Sequence, residues 1–312
     1  MDEWPPGRLP RHLQTRTSPK KFREPRPARC YKTPNVNSPG HNLLILIPAY
    51  NEEERIAPVL REFAEYYGRE LPGRCEIFVV LNGCRDNTLG VVQRLAKEFP
   101  VIRHLNFPDP IGKGGALIEG LKLASIADLI GYVDADGATS PQAFHALVRK
   151  LDDTGADCVI GSRWLPESVL HQSQTPLRRF ISRGFHTIVE SLLHMGIKDT
   201  QCPAKLLRRD AALKIHSQLL IADLAFDVNL LYSLKRAGLS VVELPIEWTD
   251  KVGSKVTQSL LRSSLVMFLS VLRLRLIHSP LYRWLSPPLR PVEAWLYKKL
   301  HAPLRPSTPA RR

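Results

Sequence analysis

The sequence predicts an α/β protein: a mainly parallel sheet with helices on both faces. Three observations predict it. Residues 43–47, 76–81 and 129–133 are short, apolar, β-rich runs that end at turn formers, the pattern of buried strands. Stretches with apolar residues at helical spacing alternate with them, as in sheets crossed by helices. Polar residues that carry chemistry, Tyr50, Asn82 and Asp134, follow these strands directly. A parallel arrangement gathers them at one edge, where such sheets take their ligands.

In order along the chain, residues 1–41 hold eight prolines among basic and polar residues and predict a disordered arm. The first strand, 43–47, is expected to stop at Pro48. A helix to about residue 67 follows, with Ile56, Val59, Leu60 and Phe63 at helical spacing. The second strand runs into a turn at 82–88, where Asp86 or Asn87 can cap the next helix. A short strand at 101–105, a helix at 114–124 and the strand ending at Asp134 come next. Pro141 opens a helix to 151, and 157–161 is a strand leading to Ser162, Arg163 and Trp164. A basic helical stretch at 177–194 contains Arg178, Arg179 and Arg183; a helix at 224–237 and a strand at 241–247 complete the series.

Net charge is +14 and unevenly placed: +6 over residues 1–42, +9 over 262–312 and −1 between them. Basic ends suit polyanions, and since no zinc-finger spacing or RNA-recognition signature accompanies them, an anionic membrane surface is expected and nucleic acid is not. The five cysteines are scattered and odd in number, which suits reduced thiols in the cytosol and excludes a disulfide framework. No secretory signal is expected, because the first residues lack an apolar segment. Nor is a membrane span: the best apolar stretch, 263–272, falls short of the ~20 residues needed.

The hexapeptide from Asp134 to Thr139 is the chemical centre. On extended backbone Asp134 and Asp136 point the same way with Ala135 between them, so they can share a hard divalent cation, Mg²⁺ or Mn²⁺, completed by substrate phosphates. The alternative is a solvated turn rich in Asp and Gly. Residues 111–116, with Gly112, Lys113, Gly114 and Gly115, form a Gly-rich loop entering a helix, a device for approaching phosphate closely; a plain flexible turn is the alternative. Arg163, Lys205, Lys251 and Lys255 can together neutralise phosphates, although singly each reads as a solvated charge.

Seven motifs occur in one order over about residues 42–257: Pro48 to Glu52, Gly112 to Ala116, Asp134 to Thr139, Gly161 to Arg163, Asp199 to Cys202, Ala225 to Val228, and Trp248 through Gly253, Ser254 and Lys255. The series resembles the family 2 glycosyltransferases of the GT-A fold, and among them the dolichyl-phosphate β-glucosyltransferase and mannose synthase branch. The resemblance implies a GT-A domain over 42–257. In it Pro48, Ala49, Tyr50, Glu52, Val80, Asn82 and Lys113 line the nucleotide-sugar site, with Ala135 near the nucleoside. Asp134 and Asp136 hold metal and diphosphate, and Arg163, Lys205, Lys251 and Lys255 meet the phosphates of donor and acceptor. It departs from the family where an Asp pair is usual and Leu81-Asn82 stands, and where a helix carboxylate is usual and Asn229 stands.

The implied reaction is inverting hexosyl transfer from a nucleotide sugar, UDP-glucose ahead of GDP-mannose, to a polyprenyl phosphate at the cytosolic membrane face. Two alternatives stand beside it: a hydroxyl acceptor with Asp223 or Asp227 as base, and a silent nucleotide-binding scaffold. Residues 258–312 are expected to lie on the membrane through amphipathic helices, with Arg262, Arg273 and Arg275 reaching toward headgroups.

Overall fold

The computed structural model describes residues 40–170, 176–249 and 260–279, with side chains at all of these except 176–181 and 260–263. The expectations for residues 1–39, Arg178, Arg179, Lys251, Lys255, Arg262 and the segment beyond 279 lie outside what is described.

Strand β1 (Leu43–Ala49) leads to helix α1 (Ile56–Glu70), β2 (Cys75–Asn82) to α2 (Thr88–Glu98), and β3 (Ile102–Phe107) to α3 (Lys113–Leu121). Then come β4 (Leu129–Tyr132), α4 (Pro141–Thr154), β5 (Cys158–Ser162), β6 (Val169–Leu170) and α5 (Pro176–Leu193). The chain continues as β7 (Lys205–Arg208), α6 (Arg209–Ile215), α7 (Phe226–Arg236), β8 (Val241–Pro245), β9 (Glu247–Trp248) and α8 (Leu260–Ile277).

Seven strands form one sheet in the order β3-β2-β1-β4-β7-β5-β8. All neighbours are parallel except β7, which runs against both β4 and β5. Strand β7 was invisible to sequence reasoning: four residues bearing a cation at each end carry no period long enough to register. The expected strand 241–247 is interrupted at Ile246, and β9 pairs instead with β6 in a separate two-stranded ribbon.

Strand β1 does not stop at Pro48. Pro48 and Ala49 pair with Val80 and Leu81 of β2, while pairing with β4 has already ended at Leu46. The proline therefore sits where no N–H is demanded of it. Strand order reverses between β1 and β4, so the C-terminal ends of β1, β2 and β4 border the crevice at the switch point.

Every residue of 43–47 is buried, because alternate side chains enter two cores. Leu43, Ile45 and Ile47 pack on one face with Phe63, Val92, Phe144 and Leu147; Leu44 and Leu46 pack on the other with Leu117, Phe226, Leu230 and Leu231. Helix α4 is capped as its sequence demands: Ser140 Oγ accepts from Ala143 N–H at 3.1 Å, Pro141 follows, and Gly155 closes the helix in left-handed conformation. Helix α8 rests on α5 and α7, with Val271 and Leu274 buried in the second core. That core therefore takes in part of the segment beyond residue 257. Among the described residues no helix is long and apolar enough to cross a membrane.

Candidate active site

Two loops at the ends of β1 and β2 are stitched together by backbone-directed bonds. Asn51, with φ of 54°, accepts Arg85 N–H at 2.7 Å; Asp86 accepts Glu53 N–H at 3.2 Å; Glu53 accepts Asn87 N–H at 2.9 Å; and Thr88 Oγ1 accepts Glu52 N–H at 2.8 Å. Left-handed backbone is tolerated by Asn, whose short side chain bonds locally. Asn87 occupies the N-cap without a side-chain bond, and Asp86 takes Thr88 N–H instead. Sequence reasoning missed Asn51 and Thr88; the polar run Asn-Glu-Glu facing Arg-Asp-Asn-Thr was the signal available.

Pro48 and Tyr50 stand at the crevice, Tyr50 exposed, while Ala49 and Val80 are fully buried in the sheet. Glu52 is not a free carboxylate: Arg55 holds it through two bonds of 2.8 and 2.9 Å. Asn82 is buried, and its Oδ1 accepts Ile111 N–H at 2.7 Å. It thus ties the end of β2 to the start of the Gly-rich loop.

The Gly-rich loop does not stand open as the phosphate-cradle reading expected. Gly112 has φ of 80°, and a Cβ there would lie 2.2 Å from Ala222 O; one on Gly114 would lie 2.6 Å from Phe226 Cβ. Gly115 N–H donates to Ala222 O at 3.0 Å. The close approach that these glycines permit is to the chain's own backbone. Lys113 nonetheless reaches the crevice, its Nζ 2.6 Å from Asp134 Oδ1. Burial pulls this ammonium down, but the charges of Asp134 and then Asp227 outweigh it and hold the group above its ordinary range.

Asp134 and Asp136 are brought together by a turn and not by extended backbone, because β4 ends at Tyr132 and residues 135–136 turn away. Asp136 accepts Ala138 N–H at 3.0 Å. Burial and then the charge of Asp134 raise the Asp136 carboxyl above its usual range. Two partly buried carboxylates in mutual repulsion are a donor set that suits a hard divalent cation, and Lys113 offsets the charge of one of them. Among the described residues no group of three or more His, Cys, Asp or Glu gathers as a metal site. The carboxyl groups available here are those of Asp134 and Asp136.

The expected phosphate cations fare differently. Arg163 lies at the end of β5 with Nε 2.7 Å and a terminal nitrogen 2.9 Å from the Asp199 carboxylate, and its guanidinium stacks 5.2 Å from the Trp248 ring. Burial raises the Asp199 carboxyl, but Arg163 outweighs it and the group lies below its ordinary range. Glu243 in turn accepts Asp199 N–H at 3.0 Å.

Lys205 corrects the expectation that it meets a phosphate. It has no exposed surface; its Nζ lies 2.6 Å from Asp227 Oδ1, also bonds Cys202 O, and sits 5.7 Å from the Tyr132 ring. Tyr132 hydroxyl donates to the same Asp227 oxygen at 2.5 Å. Both bonds fall on Asp227 Oδ1 in a site almost closed to solvent, whereas a general base must reach an acceptor. Asp223 is also buried, accepting Ser270 Oγ at 2.5 Å and Ala225 N–H at 2.8 Å.

The family described as Glycosyl transferase family 2 matches residues 44–215. A dolichyl-phosphate β-glucosyltransferase of Trichomonas vaginalis is 37% identical over 241 residues, covering 74% of this chain and 71% of the relative. The protein of that name from Homo sapiens is 32% identical over 231 residues, with 70% and 71% covered. Among solved structures, glucosyl-3-phosphoglycerate synthase of Mycobacterium tuberculosis in complex with Mn²⁺, UDP-glucose and phosphoglyceric acid superposes with a TM-score of 0.59 at 17% identity, over 76% of this chain and 80% of that one. That likeness is one of fold, the GT-A fold. The chain is a glycosyltransferase and belongs to glycosyl transferase family 2.

Proposed function

We propose that this chain transfers glucose from UDP-glucose to dolichyl phosphate with inversion, acting peripherally at the cytosolic face of a membrane. The observation that carries the choice of acceptor is the burial of both candidate bases against partners of their own. Asp227 is enclosed by Lys205 and Tyr132, and Asp223 by Ser270 and Ala225 N–H. A hydroxyl acceptor must lose a proton as it attacks and needs a positioned base. A phosphate monoester has a second pKa near ~6, so its oxygen is already anionic at neutral pH. The names of the relatives agree with this reading.

In this reading Asp134 and Asp136 hold Mg²⁺ or Mn²⁺, whose chemistry is to neutralise charge on the leaving diphosphate. Lys113, beside Asp134, is placed to add a second positive charge there. Arg163 gives two of its five N–H groups to Asp199, which fixes the guanidinium plane and leaves the others for the acceptor phosphate. Asn82 contributes by holding the loop that carries Lys113. The basic residues of 262–312, ten against one acidic, support an anionic membrane surface as partner.

The test is a donor panel with dolichyl phosphate as acceptor. UDP-glucose should label the lipid far faster than GDP-mannose; a preference for GDP-mannose would overturn the donor assignment.

A further inference from the structure

The segment from Gln218 to Phe226 is the wall against which the Gly-rich loop is moulded. Gly112 and Gly114 have no room for a Cβ because Ala222 O, Ile221 O and Phe226 Cβ occupy the space. Gly115 N–H is bonded to Ala222 O. Any shift of residues 221–223 therefore moves Lys113, which lies between two glycines locked to this wall.

The wall is itself held from two sides. From α7, Asn229 Oδ1 accepts the N–H groups of Leu220 and Ile221 at 2.7 and 3.0 Å, while its amide nitrogen donates to Gln218 O and Ser233 Oγ, both at 3.1 Å. An amide can accept and donate at once, which a glutamate carboxylate cannot, so Asn229 suits this position. From α8, Ser270 Oγ donates to Asp223 Oδ2, and the neighbouring Val271 and Leu274 anchor that helix in the core. Asp223 and Ser270 are both less than one-tenth exposed, so water competes little for their bond.

We propose that Asp223 is a positioning residue that couples the seating of α8 to the geometry of the Gly-rich loop, so that Lys113 faces Asp134 only while the C-terminal helix is docked. It deepens the proposed function, resting on the reading of residues 111–116 as part of the donor site. In that setting the helix leading toward the basic C-terminal region reports its position to Lys113, 109 residues upstream of Ala222, through one buried hydrogen bond and one backbone wall.

The test is amide hydrogen exchange at Gly115 on the full chain, together with calorimetric binding of UDP in the presence of Mn²⁺. Ser270→Ala should speed Gly115 exchange by about tenfold, as loss of a bond to a charged group predicts, and should weaken UDP binding, while β2 and β3 keep parent exchange. Asp223→Asn can keep both bonds and should hold Gly115 at the parent rate. Unchanged exchange at Gly115 in Ser270→Ala, or acceleration spread evenly over the sheet, would overturn the coupling. If the parent binds no UDP, the donor-site reading fails, and the exchange measurement alone still decides whether Asp223 couples α8 to the loop.

Discussion

Removing either partner of the Lys205–Asp227 pair should destabilise the fold far more than a surface pair would. Both side chains are enclosed, at 0% and 3% exposure, and the ion pair is reinforced by Tyr132 hydroxyl and Cys202 O. Asp227→Asn leaves an ammonium in a site closed to water. The cost of breaking such a pair is about 3–5 kcal/mol, against 0–1 kcal/mol at a surface. With a urea slope of about 3 kcal/mol/M for a domain of this size, the midpoint should fall by roughly 1–1.7 M with no change in slope. Lys205→Met should behave alike, and the double variant Lys205→Met with Asp227→Asn should lose much less than the two single losses added, because no charge is left unpaired. Urea unfolding followed by circular dichroism measures all four proteins. A loss below about 1 kcal/mol in either single variant, or simple additivity in the double, would refute the enclosed-pair argument. It would also reopen Asp227 as a base.

Asp134→Ala or Asp136→Ala should each cut turnover by about two to three orders of magnitude while leaving the melting curve near the parent's, and EDTA should abolish parent activity; full activity in EDTA would remove the cation from the site. Arg163→Lys should raise the KM for dolichyl phosphate, since a point charge replaces a guanidinium held in plane by Asp199, whereas Lys97→Ala on the exposed side of α2 should not. Asp199 should leave a signature in acid. Its carboxyl lies below the ordinary range when folded, so the unfolded chain binds the proton more readily and the group's stabilisation is present above the unfolded pKa of about 3.9. That stabilisation is lost as pH falls toward the folded value. Asp199→Asn should abolish this part of the acid limb, as read by melting temperature between pH 6 and pH 3; an unchanged acid limb would dismiss the Arg163 pairing.

Much of the fold was legible because strands buried on both faces write themselves as unbroken apolar runs, as at 43–47, and because Pro141 marks the start of α4 chemically. The antiparallel β7 was not, since its four residues end in Lys205 and Arg208, and a lysine in a buried strand reads as a surface charge until its partner is seen. That partner is Asp227, 22 residues away in sequence, and no local pattern connects them. The same limit explains the Gly-rich loop. Glycines signal close approach, but whether the approaching group is a phosphate or the carbonyl of Ala222 depends on tertiary packing. The expected geometry of the acidic pair was alternation along a strand, whereas a turn at residues 135–136 follows Asp134. Asn82 was read as a departure affecting base or ribose recognition, and its hydrogen bond to Ile111 N–H gives it a structural task at that position.

The most direct measurement is acceptor choice. Purified full-length chain is given UDP-glucose labelled in the sugar, Mn²⁺, and either dolichyl phosphate or dolichol, the same lipid with a hydroxyl in place of the phosphate. On the phosphate-acceptor mechanism proposed above, label should move to dolichyl phosphate and not to dolichol, and it should do so at neutral pH. Transfer to dolichol at a comparable rate would contradict the phosphate-acceptor mechanism and show that a base operates in this site.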